Sequence, residues 1–409
     1  MMMNLGNSFY IPYYKRVKFS CSTSSLLQSL QLVSRAIGSA QALPILGNIL
    51  IEAQGRRCTV SATDLELSII TSFEAKIENE GSITIPAKAI LNFAQYNTDP
   101  EVLLETSEGT ILKCTSQHTK TSIAGEASSE YPTIAAVEKQ TAFTLPLSPL
   151  LHALHLVTFA STRTSLRPVL SGVYLRSEKN MVVLVATDSY RLSEYRIATD
   201  VGGAEISCII PTKILEELKV MLGAKKADKP EKKEKSKDAD QGGSSARDGD
   251  DNAVQVTLSK QQIELQYGHT RLLSRLIDGK FPNYEQILPK ETATTVQFSV
   301  GELTTAVKRM HYFAKEMNNN LTFHCEKGQT RVATPQTPIG KDEAFLMTEI
   351  TGKDNKIALS SSYLLDFLGH VDADSIVMQM TDSTHPALFL LPNEKNYLHL
   401  VMPLRMQEE

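Results

Sequence analysis

The chain has 409 residues, 42% hydrophobic and 22% charged, enough apolar material for two or three globular cores. Its 42 Lys and Arg against 46 Asp and Glu give a formal charge of −4, which argues against coating nucleic acid by bulk positive charge but leaves a local basic surface open. No window carries the roughly 18 to 20 uninterrupted apolar residues of a membrane span, and residues 1–16 lack the apolar core and cleavage site of a signal peptide.

Residues 1–16 show no helical or alternating pattern and are read as an appendage. An amphipathic helix is predicted over 23–37, with Leu26, Leu27, Leu30, Val33 and Ile37 on one stripe and Gln28, Gln31 and Arg35 opposite. Strands at 49–52 and 65–70 flank a turn at Ala62-Thr63-Asp64, and Ile83-Thr84-Ile85-Pro86 opens a short helix bearing Lys88, before a strand at 102–105. The order then recurs. A helix over 148–160 buries Leu150, Leu151, Leu154 and Val157 and presents His152, His155 and Phe159. Strands at 173–175 and 182–185 lead to the turn Ala186-Thr187-Asp188, and Ile209-Ile210-Pro211 opens a helix with Lys213 opposite Leu215, Leu218 and Leu222. Residues 224–253 hold eight bases, eight acids and almost nothing able to enter a core, the signature of a disordered insertion. Strands at 254–258 and 263–267 follow it. The third round has a helix over 300–314 burying Leu303, Ala306, Val307, Met310 and Ala314, with Lys308, Tyr312 and Lys315 on the far side. The turn Ala333-Thr334-Pro335, a strand at 345–350 and Ala358-Leu359-Ser360 opening a last helix complete it.

Without the appendage and the insertion, 363 residues remain, three times 121. Each turn precedes its strand-to-helix junction by a similar distance, 23, 24 and 26 residues. The pattern predicts three copies of one α+β module, each with two helices and about eight strands, over residues 17–143, 144–295 and 296–409. The five cysteines, Cys21, Cys58, Cys114, Cys208 and Cys325, are odd in number and never spaced C-x-x-C, so a reducing cytoplasm fits better than a disulfide framework or a zinc cluster. No Gly-rich phosphate loop, H-E-x-x-H or G-x-S-x-G occurs. His152 and His155 have no carboxylate or thiol nearby in sequence, and Asp64 and Asp188 sit where Asp caps backbone amides. No metal, cofactor or catalytic residue is expected.

Several motifs together carry a likeness: Leu43-Pro44-Ile45-Leu46-Gly47-Asn48, Ala62-Thr63-Asp64-Leu65-Glu66, Ala186-Thr187-Asp188-Ser189-Tyr190-Arg191-Leu192, Asp278-Gly279-Lys280-Phe281-Pro282-Asn283-Tyr284, Thr381-Asp382-Ser383 and Val401-Met402-Pro403-Leu404-Arg405-Met406. Through them the chain resembles the bacterial DNA polymerase III beta subunit, the sliding clamp. The resemblance implies three repeated clamp domains, helices lining a pore with β-sheets outside, and a head-to-tail homodimeric ring that encircles double-stranded DNA without reading its sequence. It also implies a noncatalytic processivity factor whose hydrophobic pocket binds peptides of the DNA polymerase III alpha subunit, the clamp loader, other polymerases and repair proteins. That pocket would comprise Val169, Leu170, Thr187, Ser189, Tyr190, Arg191, Leu192, Pro282, Ile287, Val401, Met402, Pro403, Leu404, Arg405 and Met406. Arg35, Lys88, Arg163, Arg167, Lys213, Lys308 and Lys315 would face DNA, and Thr121, Tyr312 and Phe313 would meet the second subunit.

The chain departs from the family pattern at several of these places. Ser189-Tyr190 replaces a common Gly-His, Gln286 a common cation, Thr121 a larger apolar residue, and Pro168-Val169 tyrosines. The family's usual Met-Lys-Phe start matches Val17-Lys18-Phe19, so an over-long start assignment would account for residues 1–16. Two other readings are a repeat-built peptide-binding hub that never encloses DNA and a hydrolytic enzyme with an unrecognised site.

Overall fold

The computed structural model describes residues 16–38, 43–107, 110–162, 164, 166–227 and 252–406, the side chains of 224–227 apart. Every α-helix among the described residues grows directly out of a strand. α1 (Thr23–Ser34) follows Lys18–Ser22, α2 (Ala87–Tyr96) follows Gly81–Pro86, and α3 (Leu147–Val157) follows Thr141–Pro146. α4 (Thr212–Ala227) follows Ser207–Pro211, α5 (Val300–Ala314) follows Thr294–Ser299, and α6 (Ser361–Leu368) follows Asn355–Ser360. Pro or Ser stands at each junction because Pro ends a strand without wasting an amide and Ser can cap the first turn, as Ser299 does by accepting from the Glu302 amide. The helices pack in three sequential pairs, α1 with α2, α3 with α4 and α5 with α6. The two-helix module read from the sequence is therefore present three times.

The chain divides into two compact units. The first joins the residues up to 138 with 264–274. Its five-stranded sheet runs Lys76–Asn79, Lys18–Ser22, Glu101–Thr106, Ile111–Thr115, Lys120–Ala124, so Lys120–Ala124 is an outermost strand. In its other sheet Asn48–Gln54 lies between Arg57–Thr63 and Gly81–Pro86, Leu67–Glu74 pairs with Arg57–Thr63, and Leu272 lies opposite Ile69. The α1 stripe of Leu26, Leu30 and Val33 is wholly buried.

The second unit holds residues 139–227, 252–263 and 275–406. Its nine-stranded sheet runs Ser207–Pro211, Gly172–Glu178, Met181–Thr187, Arg191–Ala198, Glu394–Val401, Ala387–Leu391, Ser375–Met380, Thr294–Ser299, Glu349–Gly352. Arg191–Ala198 pairs antiparallel with Glu394–Val401, Arg191 opposite Val401, so the second and third repeats share one sheet. A separate four-stranded sheet runs Glu343–Met347, Gln329–Ala333, Asn320–Glu326, Asn355–Ser360.

Several boundaries differ from expectation. α1 ends at Ser34 rather than residue 37, and the helix expected over 148–160 ends at Val157 in a single 3-10 turn, Thr158–Ala160. The strand expected at 345–350 is two strands in two sheets, Glu343–Met347 and Glu349–Gly352, and the intervening Thr348 bonds the Thr330 hydroxyl at 2.9 Å. At the insertion, α4 continues to Ala227 and a strand begins at Ala253; residues 228–251 lie outside the described residues, as do 1–15.

Candidate functional site

The turn at Thr187-Asp188 is built from its own side chains. The Thr187 hydroxyl donates to the Arg191 carbonyl at 2.6 Å and accepts from the Ser189 amide at 3.1 Å. Asp188 Oδ1 accepts from the amides of Tyr190 and Arg191 at 2.9 and 3.0 Å. This holds Ser189 at φ 80° and turns Tyr190 outward, 60% exposed. Thr63, Asp64 and Leu65 (φ 77°) repeat the turn in the first unit, with Asp64 Oδ1 bonded to the Glu66 and Leu67 amides at 3.1 and 2.7 Å. Both acids cap backbone, as the sequence predicts.

Arg191 is 8% exposed and links the two repeats of the second unit. Its Nε donates to Asp188 at 3.2 Å, Nη1 to Asp366 on α6 at 2.7 Å and Nη2 to the Phe159 carbonyl at 3.1 Å, while its carbon lies 4.9 Å from the Tyr363 ring centroid. Three of its donors are engaged in this way, and the bond to Asp188 ties the guanidinium to the turn.

Beside the turn an apolar cluster comes to the surface. Leu170, Val183, Val185, Leu192, Phe281, Tyr284 and Leu400 are buried in it, and Val169, Tyr174, Leu288 and Met402 pack against it part-exposed. The Phe281-Pro282-Asn283-Tyr284 motif anchors the loop that carries Ile287: Phe281 stacks on Tyr174 at 4.9 Å, and Tyr284 donates to Glu194. Gly279, at φ 134°, has no room for a side chain, since a Cβ would stand 2.6 Å from Val169 Cγ1. Two depressions open along this surface. One, of about 560 Å³, is lined by Ile287, Leu288, Pro289, His385, Pro386 and Met402 among others, and the second, of about 330 Å³, by Leu166, Arg167, Leu170, Ser189, Tyr190 and Tyr363 among others. The Met402 amide donates to the Tyr190 carbonyl at 2.8 Å, tying the last strand to the turn.

The structure thus brings together Val169, Leu170, Thr187, Ser189, Tyr190, Arg191, Leu192, Ile287, Val401 and Met402. Pro282 is exposed on the anchoring loop and Pro403 is half-buried. Beyond them the chain turns to the four-stranded sheet: the Leu404 amide donates to the Ala358 carbonyl at 2.7 Å and the Arg405 carbonyl accepts from Asn320 at 3.0 Å, with Met406 half-buried after them. Leu166, Tyr174, Leu288, Tyr363, His385 and Pro386 were missed. They come from separate segments, Tyr174 from a strand and Tyr363 from α6 among them, and share no local sequence signal.

Of the cationic set, Arg35, Lys88, Lys213, Lys308 and Lys315 are exposed at α1, α2, α4 and α5, and Lys315 begins the 3-10 turn after α5. Arg163 lies outside the described residues. Arg167, expected among the DNA-facing residues, lines the smaller depression and donates to Ser189 at 3.1 Å. Thr121 is half-buried in the outermost strand Lys120–Ala124, Tyr312 is 68% exposed and Phe313 half-buried. The described residues contain no group of three or more metal-binding side chains and no helix long and apolar enough to cross a membrane.

Sequence models of the DNA polymerase III beta subunit match in order: the N-terminal domain over 17–135, the central domain over 144–228 and the C-terminal domain over 285–405. The chain belongs to this family. It is 28% identical over 400 residues to the beta sliding clamp of Synechocystis sp., covering 95% of this chain and 100% of that one. The Escherichia coli K12 beta sliding clamp is 24% identical over 391 residues, with 95% and 100% covered. Among solved structures, a Bartonella birtlesii sliding clamp bound to griselimycin has a TM-score of 0.85 at 26% identity, covering 96% of this chain and 100% of its own. The Bacillus subtilis clamp gives 0.85 at 24% with the same coverage and bears on the fold alone. The chain therefore carries three α+β clamp domains of a DNA polymerase III beta subunit, and its function is that of a DNA sliding clamp.

Proposed function

We propose that two copies of this chain close head-to-tail into a ring around duplex DNA and hold the replicative polymerase there, with no catalytic step of their own. The observation that carries this reading is a pair of open sheet edges. Lys120–Ala124, outermost in its sheet, exposes Lys120 and Ser122, and its neighbour exposes Ile111 and Lys113. Glu343–Met347, outermost in another sheet, exposes Glu343, Phe345 and Met347, the last by 75%, and Tyr312 is exposed in the same unit. The second edge presents exposed aromatic and apolar side chains, and exposed apolar edges invite another strand. Two such heterologous contacts close a ring without free ends.

Within this reading the clamp domains comprise residues 17–143, 144–295 and 296–409. A ring holds its polymer by enclosure, so the exposed Arg35, Lys88, Lys213, Lys308 and Lys315 need only attract phosphates weakly and without sequence preference. Partners would dock extended peptides along the two depressions. Tyr190, Ile287 and Met402 offer apolar surface there, and an unbranched thioether adapts to differing side chains. The DNA polymerase III alpha subunit, the clamp loader, other polymerases and repair proteins are the partners this groove would serve, in the cytoplasm.

Sedimentation of the chain tests ring closure. A particle near 90 kDa, twice the 45.1 kDa chain mass, is expected, and a Phe345→Glu, Met347→Glu double variant is expected to sediment as a folded monomer. A wild-type monomer at every concentration would overturn the reading, as would a double variant that still dimerises.

A further inference from the structure

Where α3 meets the end of α6, the fold pairs two imidazoles that the sequence keeps far apart. His155 is exposed near the end of α3 and His370 follows the end of α6, with ring centroids 4.9 Å apart and planes tilted by 46°. His370 Nδ1 lies 2.8 Å from the Asp366 carbonyl oxygen. A carbonyl can only accept, so Nδ1 carries the proton and Nε2 of the neutral ring keeps its lone pair. Proteins orient metal-binding imidazoles by this device, one nitrogen donating to a carbonyl and the other facing the ion. Phe159 stacks on His370 at 4.3 Å and 14°, which fixes the ring plane. Among the described residues, the ring that His155 meets is that of His370.

One ion can serve both rings only within a narrow range of separation. With metal–nitrogen bonds of about 2.0–2.1 Å and ligand angles between square and tetrahedral, two imidazoles on one ion place their centroids roughly 5 Å apart. The observed separation falls there. His152, the helical neighbour of His155, bonds Glu394 at 2.8 Å instead.

We propose that His155 and His370 form a two-imidazole site for a divalent transition-metal ion of borderline softness, Zn²⁺, Ni²⁺ or Cu²⁺, with water completing the shell. Such an ion joins α3 to α6 and binds the folded chain alone, so it raises stability. The test titrates the full chain with ZnCl2 by calorimetry and, for a histidine-labelled sample, with CuCl2 by NMR. Zinc affinity is expected to fall at least about tenfold in both His155→Gln and His370→Gln and to stay unchanged in the control His269→Gln, at an exposed turn residue. In the unaltered chain the two imidazole signals broadened first by copper are expected to be those of His155 and His370. Unchanged affinity in both variants, first broadening at other histidines, or no uptake at all would overturn the site; the copper arm decides the matter should either variant fail to fold.

Discussion

Three hydrogen bonds and a ring contact converge on the Arg191 guanidinium, and two of its partners, Asp366 and Tyr363, come from the other repeat of the same unit. Its replacement by Met keeps much of the volume but takes the cation away from the half-buried Asp188 and Phe159 carbonyl and from the exposed Asp366. Arg191→Met is expected to cost about 2–4 kcal/mol in denaturant unfolding, and Arg191→Lys to recover little of it because a point charge cannot fork. His399 supplies a second test. It is fully buried, bonds Ser193 at 2.7 Å and stacks on Phe367, and burial holds its imidazole well below the ordinary histidine value. Folded chains thus keep His399 neutral, whereas unfolded chains take up a proton as pH falls through about 6.5. Its contribution to stability is complete above that pH and shrinks below it, by up to about 1.4 kcal/mol per pH unit. His155 and His311 are lowered too and add slope of the same sign. Unfolding measured from pH 7.5 to 5 is expected to show this fall in the wild type and a shallower one in His399→Gln. The Arg191 partnership with Asp366 spans 175 residues and leaves no local trace in the sequence.

The junctions where strands turn into helices were legible because Pro and Ser mark them locally and the apolar stripes of α1, α3 and α5 have helical spacing. The break at Thr348 was not, since neither Gly nor Pro interrupts Phe345-Leu346-Met347-Thr348-Glu349-Ile350 and long-range pairing decides which sheet each half joins. The paired turns at Thr63 and Thr187 are nearly a chemical copy of one another, so one can stand for both. Thr63→Ala removes the hydroxyl that bridges the Leu67 carbonyl and the Leu65 amide and is expected to cost about 1 kcal/mol. Leu65→Gly places at φ 77° the residue type that tolerates it and is expected to be neutral or stabilising by up to about 1 kcal/mol. Thermal unfolding of both variants checks the pair, and a Leu65→Gly variant losing more than the Thr63→Ala variant would refute the turn's assigned strain.

For the whole molecule, the threefold repeat was visible as a period in the sequence, whereas the sheet shared by the second and third repeats was not, because it hangs on the pairing of Arg191–Ala198 with the final strand. The groove was half legible for the same reason: its turn and closing strand are motifs, while Tyr363, Leu288 and Pro386 arrive from segments that only folding brings near. Enclosure makes one demand that adhesion does not, namely that hold on DNA depend on whether the DNA has ends. Retention of loaded chain on a nicked circular duplex, followed through gel filtration before and after a single restriction cut, measures this directly. Co-elution with the circle and release on linearisation are expected at salt that abolishes simple phosphate binding. Equal retention on circular and linear DNA, or loss from both, would contradict a ring.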